Sequence, residues 1–333
     1  SDILSAYLII EMQALCFYIL ASFKRNSSFS TEAGLKYFIS GSFISGIFLL
    51  GASLIYGCLG TLNFNLLNWL LSFDFSPEFL FLKMLVITGI LLITFTLFFK
   101  VAAAPFHFWS PDVYEGAPLA STISFSIIPK VSLFIFFIRW IFAISTFFLD
   151  IKVLFILIAI LSAFFGTFFA LRQKRVKRLI IYSSIAQVGF LIAPFYTLTV
   201  DGFSYLIFFL FIYLITSILV WGNLVSFYNS FSYFKTFSSK VSHTFFISSL
   251  SGLHKVNKLA ALSFIIIFFS ISGIPPLSGF LAKIFIFFNL LDFKNFLGAF
   301  FLIMLNMVSV YYYIRIIKVV FFEVKDINKE NLE

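Results

Sequence analysis

Charge is scarce in this chain. Asp and Glu number 14 and Lys and Arg 23 in 333 residues, so only 11% of the sequence is charged. That is less than half of what a soluble domain carries, and with 61% hydrophobic residues and a mean hydropathy of +1.07 it excludes a soluble globular fold. Cysteine is almost missing as well. Cys16 and Cys58 lie in or beside apolar segments, and with no CxxC and no third thiol the sequence argues against a disulfide framework and against iron–sulfur ligation. No flavin or nicotinamide motif occurs, so no cofactor and no redox centre is expected on this chain. A basic face on a soluble domain is absent too, which excludes nucleic acid as a partner. What is abundant is phenylalanine, 53 residues of it, a bias that an AT-rich organellar genome would produce.

Apolar runs of spanning length recur along the chain, so the fold class is all-α, a polytopic transmembrane bundle. Nine spanning segments are predicted: roughly 3–23, 34–58, 79–104, 118–145, 152–171, 179–197, 203–229, 259–291 and 295–321. Alternate connections (24–36, 105–117, 172–178, 230–258 and the tail after 314) hold sixteen of the 23 Lys and Arg residues. Among them are Lys24, Arg25, Lys36, Arg172, Lys174, Arg175, Lys177, Arg178, Lys235, Lys240, Lys325 and Lys329. The other side holds four, Lys83, Arg139, Lys152 and Lys294. The positive-inside rule therefore directs the tail to the cytoplasm or matrix and the N-terminus to the opposite side. The net charge of +9 is largely this bias.

Three lysines remain, Lys100, Lys130 and Lys283, and one acidic residue, Glu11, lies within an apolar segment. Each costs about 2.5–3.5 kcal/mol at a helix centre, or about 10–14 kcal/mol together if unpaired in lipid. They are expected to pair, face the bundle interior or line a wet cavity. Snorkelling to the headgroups accounts for Lys83 and Arg139. It fits Lys130 and Lys283 poorly, because apolar residues extend on both sides of each.

Two interruptions accompany these lysines. After Lys100, Pro105, Pro111, Pro118 and Gly116 forbid a continuous helix. In the apolar run from Leu259 to Leu291, Gly273, Pro275, Pro276 and Gly279 precede Lys283. Pro275 and Pro276 lack amide donors, so carbonyls one turn back are freed. Broken helices in corresponding positions of two halves point to an ion or substrate site, and the predicted topology makes these two antiparallel. The halves are drawn as 1–146, a first repeat of four helices, and 147–321, an inverted repeat of five, followed by a matrix-side tail at 322–333. Matching the repeats leaves the first half short of one leading helix.

Several blocks carry a family resemblance. Ile10-Glu11-Met12-Gln13, Lys24-Arg25 through Tyr37, the Lys100–Pro118 stretch, Lys130, Tyr182-Ser183-Ser184 through Phe190, Gly273–Lys283 and Tyr311-Tyr312-Tyr313-Ile314-Arg315 occur in order. Nearly the whole chain resembles the subunit 2 family of the proton-pumping NADH:quinone oxidoreductases, mitochondrial complex I. The resemblance implies an antiporter-like fold of inverted five-helix units, each with a discontinuous helix, placed in the mitochondrial inner membrane. It implies a proton relay in which Glu11 and Lys100 interact, Lys130 is the central lysine, and Lys283 links to an exit or to the next unit. His107, Tyr182, Ser183, Pro105, Pro275 and Pro276 would support it. A lysine whose carboxylate partner approaches or withdraws can load and release a proton. Against the family pattern, Gln187 stands where relatives carry histidine, so water with Tyr182, Ser183 or Ser184 would have to serve there.

The implied partners are other complex I membrane subunits, including a separate chain supplying the absent leading helices, and membrane lipid such as cardiolipin. Quinone reduction belongs to other subunits and drives the relay. Two alternatives share the fold: a subunit of a multisubunit cation/proton antiporter complex, and a non-transporting assembly scaffold. Retention of all four charges argues against the scaffold. The remaining features have plainer readings. His107 is read as a loop histidine hydrogen-bonded to backbone, and Asp112 and Glu115 as caps of the turn or helix start. The small residues from Gly34 to Ser42, with Gly46 and Gly51, are read as a close-packing face. The Arg172–Arg178 cluster reads as a topology anchor, with a cardiolipin contact as the second reading.

Overall fold

Apolar sequence this continuous leaves the backbone no solvent partner, so its polar groups must bond along the chain, and helices result. The computed structural model describes residues 2–73, 80–145, 147–234 and 246–323. Its elements in order are α1 (Ile3–Ala21), α2 (Ser28–Leu59), α3 (Phe64–Leu71), α4 (Leu80–Val101), α5 (Trp109–Gly116), α6 (Leu119–Ala143) and α7 (Phe148–Arg172). Then follow α8 (Val176–Ile192), α9 (Val200–Phe234), α10 (Leu253–Val256), α11 (Lys258–Ser272), α12 (Ser278–Asp292) and α13 (Phe296–Phe321). Among the described residues eight helices are long and apolar enough to cross a membrane. The ninth expected segment, 259–291, is the discontinuous pair α11 and α12. Most of the 322–333 tail, with Lys235, Lys240, His243, Lys325 and Lys329, lies outside the described residues.

The first break falls earlier than the predicted span 79–104 suggested. Helix α4 runs unbroken through Lys100 to Val101, and the chain leaves it at Ala102, whose φ is 61°. The stretch 105–117, drawn as a loop, contains the eight-residue helix α5, with Ser110, Pro111, Val113 and Tyr114 buried. The second break is closed by Gly273 at a φ of 82°, a left-handed position that glycine adopts without strain.

Hydrogen bonds gather alternate connections at one end of the bundle. Ser30 Oγ donates to the Ala21 carbonyl (2.7 Å), Ser121 Oγ to Leu20 (2.7 Å) and Lys177 Nζ to Ala117 (3.2 Å). The Ile247 amide donates to Lys174 (2.9 Å) and Arg315 Nη1 to Leu171 (3.4 Å). This is the end that holds the basic connections. At the opposite end Asp2 bridges Asn63, and Thr197 Oγ1 donates to Asn289 Oδ1 (2.9 Å).

The main core draws on both halves of the chain, from Ile3 and Phe48 through Phe137 and Phe155 to Leu302. Helices α2 and α4 meet at Gly51 and Gly89, where a methyl group on either would stand 2.9 Å from the other's carbonyl oxygen. Of the expected close-packing face, Gly34, Gly41 and Gly51 have near neighbours, whereas Gly46 has none within 4 Å.

Candidate functional site

Glu11 lies midway along α1 and Lys100 in the last turn of α4. Their side chains meet with Nζ 2.6 Å from Oε1 and are only 12% (Lys100) and 18% (Glu11) exposed. Such a contact between helices supplies the counter-charge that a lysine at membrane depth requires. Trp109 Nε1 donates to the Phe99 carbonyl (3.1 Å), which also accepts from the Ala102 amide (2.9 Å) at the end of α4. A cavity of about 30 Å³ beside the pair is lined by Gln13, Tyr18, Lys100, Trp109 and Pro129, among others. Pro129 and Leu133 bring this void against the middle of α6, one residue from Lys130.

Lys130 is 4% exposed. Its Nζ donates to Tyr213 Oη on α9 at 2.8 Å and lies 5.0 Å from the centre of that ring. Tyr213 Oη in turn donates to the Ser126 carbonyl at 3.3 Å. Beyond Tyr213 a cavity of about 50 Å³ is bordered by Ser183, Ser184, Gln187, Ser270 and Lys283. Its wall is mostly apolar, but its size and the hydroxyl, amide and ammonium groups set in it suit a few water molecules.

Lys283, in the second turn of α12, is 2% exposed. Its ammonium donates to the carbonyls of Ile271 (2.6 Å) and Ser272 (3.2 Å) and to Asn306 Oδ1 on α13 (2.7 Å). Three acceptors match three N–H groups. Two of them follow from the sequence: in a continuous helix the residues at 275 and 276 would donate to the carbonyls of 271 and 272. Proline cannot, and the lysine takes their place. The positive group also sits at the C-terminal, negative end of α11. Gly279 permits this geometry, since a Cβ there would overlap the Ser270 carbonyl oxygen.

The structure brings Ser183 and Gln187 to the cavity between Lys130 and Lys283, and Gln187 Nε2 donates weakly to the same Ile271 carbonyl (3.4 Å). Tyr182 faces another way, its ring 6.5 Å from that of His107. His107 is 1% exposed, lies in the turn that follows Pro105, and packs on Phe165 and Phe169. Its Nδ1 has no hydrogen-bond partner; a backbone hydrogen bond at Pro105, in keeping with the expected loop histidine, raises its pKa, but burial outweighs that bond and holds the pKa below the usual 6.5.

Asp112 and Glu115 are not helix caps. The N-cap of α5, Phe108, makes no side-chain cap bond. The carboxylates instead join α5 to α8. Glu115 binds Arg175 and Arg178 at 2.6 Å each, and Asp112 binds Arg178, with Lys36 at 3.6 Å. With Lys177 on the Ala117 carbonyl, three residues of the basic anchor are engaged within the protein.

Tyr213 and Asn306 were not singled out in the sequence. Their signal is a polar side chain deep in an apolar span, but the chain has 14 tyrosines and nothing local distinguishes these positions. Among the described residues no group of three or more His, Cys, Asp or Glu could hold a metal ion.

An all-helical membrane bundle with two discontinuous helices and a file of buried lysines defines an antiporter-like membrane protein. The family model for the NADH:quinone oxidoreductase/Mrp antiporter transmembrane region matches residues 1–309, and the chain belongs to this family. Over 97% of its length it is 39% identical to NADH-ubiquinone oxidoreductase chain 2 of Marchantia polymorpha, covering 63% of that protein. It is 36% identical over 97% of its length to NADH-quinone oxidoreductase subunit N of Pelagibacter ubique, covering 65%. A chain of respiratory complex I from Thermus thermophilus superposes with a TM-score of 0.77 at 28% identity, covering 97% of this chain and 66% of that one. The chain therefore spans a little under two thirds of the length of these relatives.

Proposed function

We propose that the chain is a core membrane subunit of respiratory complex I that translocates protons through Glu11, Lys100, Lys130 and Lys283. NADH:ubiquinone electron transfer in other subunits drives the movement. The observation that carries this reading is the series of buried, partnered charges: the Glu11–Lys100 pair, Lys130 on Tyr213, and Lys283 across a cavity bordered by serines and Gln187. The Glu11–Lys100 and Lys130–Tyr213 links are hydrogen bonds, and a void sized for water borders Tyr213 and Lys283, which is what proton transfer through a dry bundle needs. When drive from the neighbouring subunits separates Glu11 from Lys100, the loss of counter-charge favours release of a proton toward Lys130. Strong interaction makes the sites titrate as a group.

On this reading residues 1–146 and 147–321 are the two inverted units, and α4–α5 and α11–α12 are their broken helices. The membrane is the mitochondrial inner membrane, supported by the phenylalanine-rich composition and by the likeness to a plant chain 2. The basic end faces the matrix and the N-terminus the intermembrane space, in keeping with positive-inside bias. The partners are other complex I membrane subunits, with anionic lipid such as cardiolipin at the basic end, where Arg172 and Lys174 lie.

Lys130→Met in the assembled complex tests the relay. The expected outcome is loss of proton pumping coupled to quinone reduction. Wild-type proton stoichiometry in that variant would overturn the assignment.

A further inference from the structure

We infer that Tyr213 is a positioning and proton-passing residue whose hydroxyl direction is set by the charge on Lys130. This rests on the relay reading and adds to it a component that the charged residues alone lack. Lys130 Nζ does not border the cavity that leads to Lys283; Tyr213 does. Tyr213 is also the hydrogen-bond partner of Lys130 among the described residues, at 2.8 Å. The hydrogen-bonded route from Lys130 to the cavity among the described residues therefore passes through the tyrosine oxygen.

Donor and acceptor capacity then restrict the hydroxyl. An ammonium has only donors, so beside charged Lys130 the tyrosine oxygen must accept and its own hydrogen must point elsewhere. The Ser126 carbonyl at 3.3 Å takes it in the observed arrangement, and the adjoining cavity offers the alternative. A neutral amine has a lone pair, so beside uncharged Lys130 the hydroxyl can turn and donate to it. The two charge states of Lys130 thus select opposite orientations of one O–H group.

The transfer step balances without placing charge on the ring. The N–H bond of Lys130 breaks as an O–H bond forms at Tyr213, while the original O–H of Tyr213 breaks and its proton passes to a water in the cavity. Lys130 is left neutral, the water becomes hydronium on its way to Lys283, and tyrosine is neutral before and after. The new hydrogen then points at Lys130, and a second proton cannot follow until the hydroxyl rotates. Ring packing does not oppose that rotation, because only the C–O torsion changes.

The test uses the assembled membrane complex in sealed vesicles, with the rate of proton translocation and the rate of quinone reduction both measured. Tyr213→Phe keeps the ring and deletes the hydroxyl, and should lower translocation by about 10²-fold. Fluorotyrosine incorporated at position 213 keeps shape and hydrogen bonds while changing only the acidity of the hydroxyl. It should shift the translocation rate severalfold, which a packing role would not do. Should Tyr213→Phe fail to assemble, the fluorotyrosine result decides. A wild-type rate with fluorotyrosine, or with Tyr213→Phe while Lys130→Met is inactive, overturns the role of Tyr213 and leaves the relay reading standing. Wild-type pumping by Lys130→Met removes the relay reading itself.

Discussion

Glu11→Gln removes a charge while keeping the size of the side chain, and with Lys100→Met it forms a double-mutant cycle on the innermost ion pair. The oxygen and nitrogen are 2.6 Å apart and both side chains are largely buried. At an effective dielectric constant of about 20, two unit charges at that distance attract by about 6 kcal/mol. Part of that offsets the desolvation of both groups. Removing a single partner leaves the other charge uncompensated at depth, which costs about 3–5 kcal/mol, whereas removing both costs far less. Each single variant should therefore be destabilised by about 3–5 kcal/mol and the double variant by much less than their sum. The assay is denaturant unfolding of the protein in lipid, with proton pumping measured alongside. Pumping should be lost in all three variants, because the double variant restores stability without restoring a charge to move. Additivity of the two single losses to within about 0.5 kcal/mol would refute a coupled pair.

Other perturbations probe separate parts of the molecule. Gly279→Ala would drive a methyl group into the Ser270 carbonyl oxygen, and should destabilise the α11–α12 break by about 1–3 kcal/mol or more, read as reduced assembly and a lower melting temperature. Glu115→Ala removes contacts to both Arg175 and Arg178, so its loss should exceed that of Asp112→Ala, whose side chain is 44% exposed and whose pair is worth about 1 kcal/mol or less; equal losses would contradict the bridging role of Glu115. His107 is buried with its pKa held below 6.5, so the unfolded chain takes up a proton that the folded protein resists. Its stabilising contribution is full above that ordinary value and is lost as pH falls below it, and His107→Phe should flatten the fall in melting temperature between about pH 7 and pH 5.

Much of the architecture was legible along the chain because it depends on local properties. Hydropathy marks spans wherever lipid is the solvent, so the membrane class and the nine segments could be read directly. Proline chemistry is equally local: Pro275 and Pro276 announced freed carbonyls one turn back, and those carbonyls bind Lys283. The break after Lys100 was placed less well, since Ala102 carries no sign in its side chain that the backbone turns left-handed there. Helix α5 was missed for a related reason. Three prolines and a glycine suggested a loop, yet Pro111 in its first turn costs a helix nothing there.

What the sequence determined by itself was which charges are expensive and how deep they lie: Glu11, Lys100, Lys130 and Lys283 stand out because lipid gives an ionised group no partner. What only the tertiary structure decided was who meets whom. The contact of Lys130 with Tyr213 joins residues 83 positions apart, and Arg178 reaches Asp112 across 66. Such meetings depend on the rotation and crossing of whole helices, which small residues such as Gly51 and Gly89 set through packing. Hydropathy is a property of each segment, whereas the link from Lys130 to the water-sized cavity exists only once α6, α8, α9 and α12 are packed together.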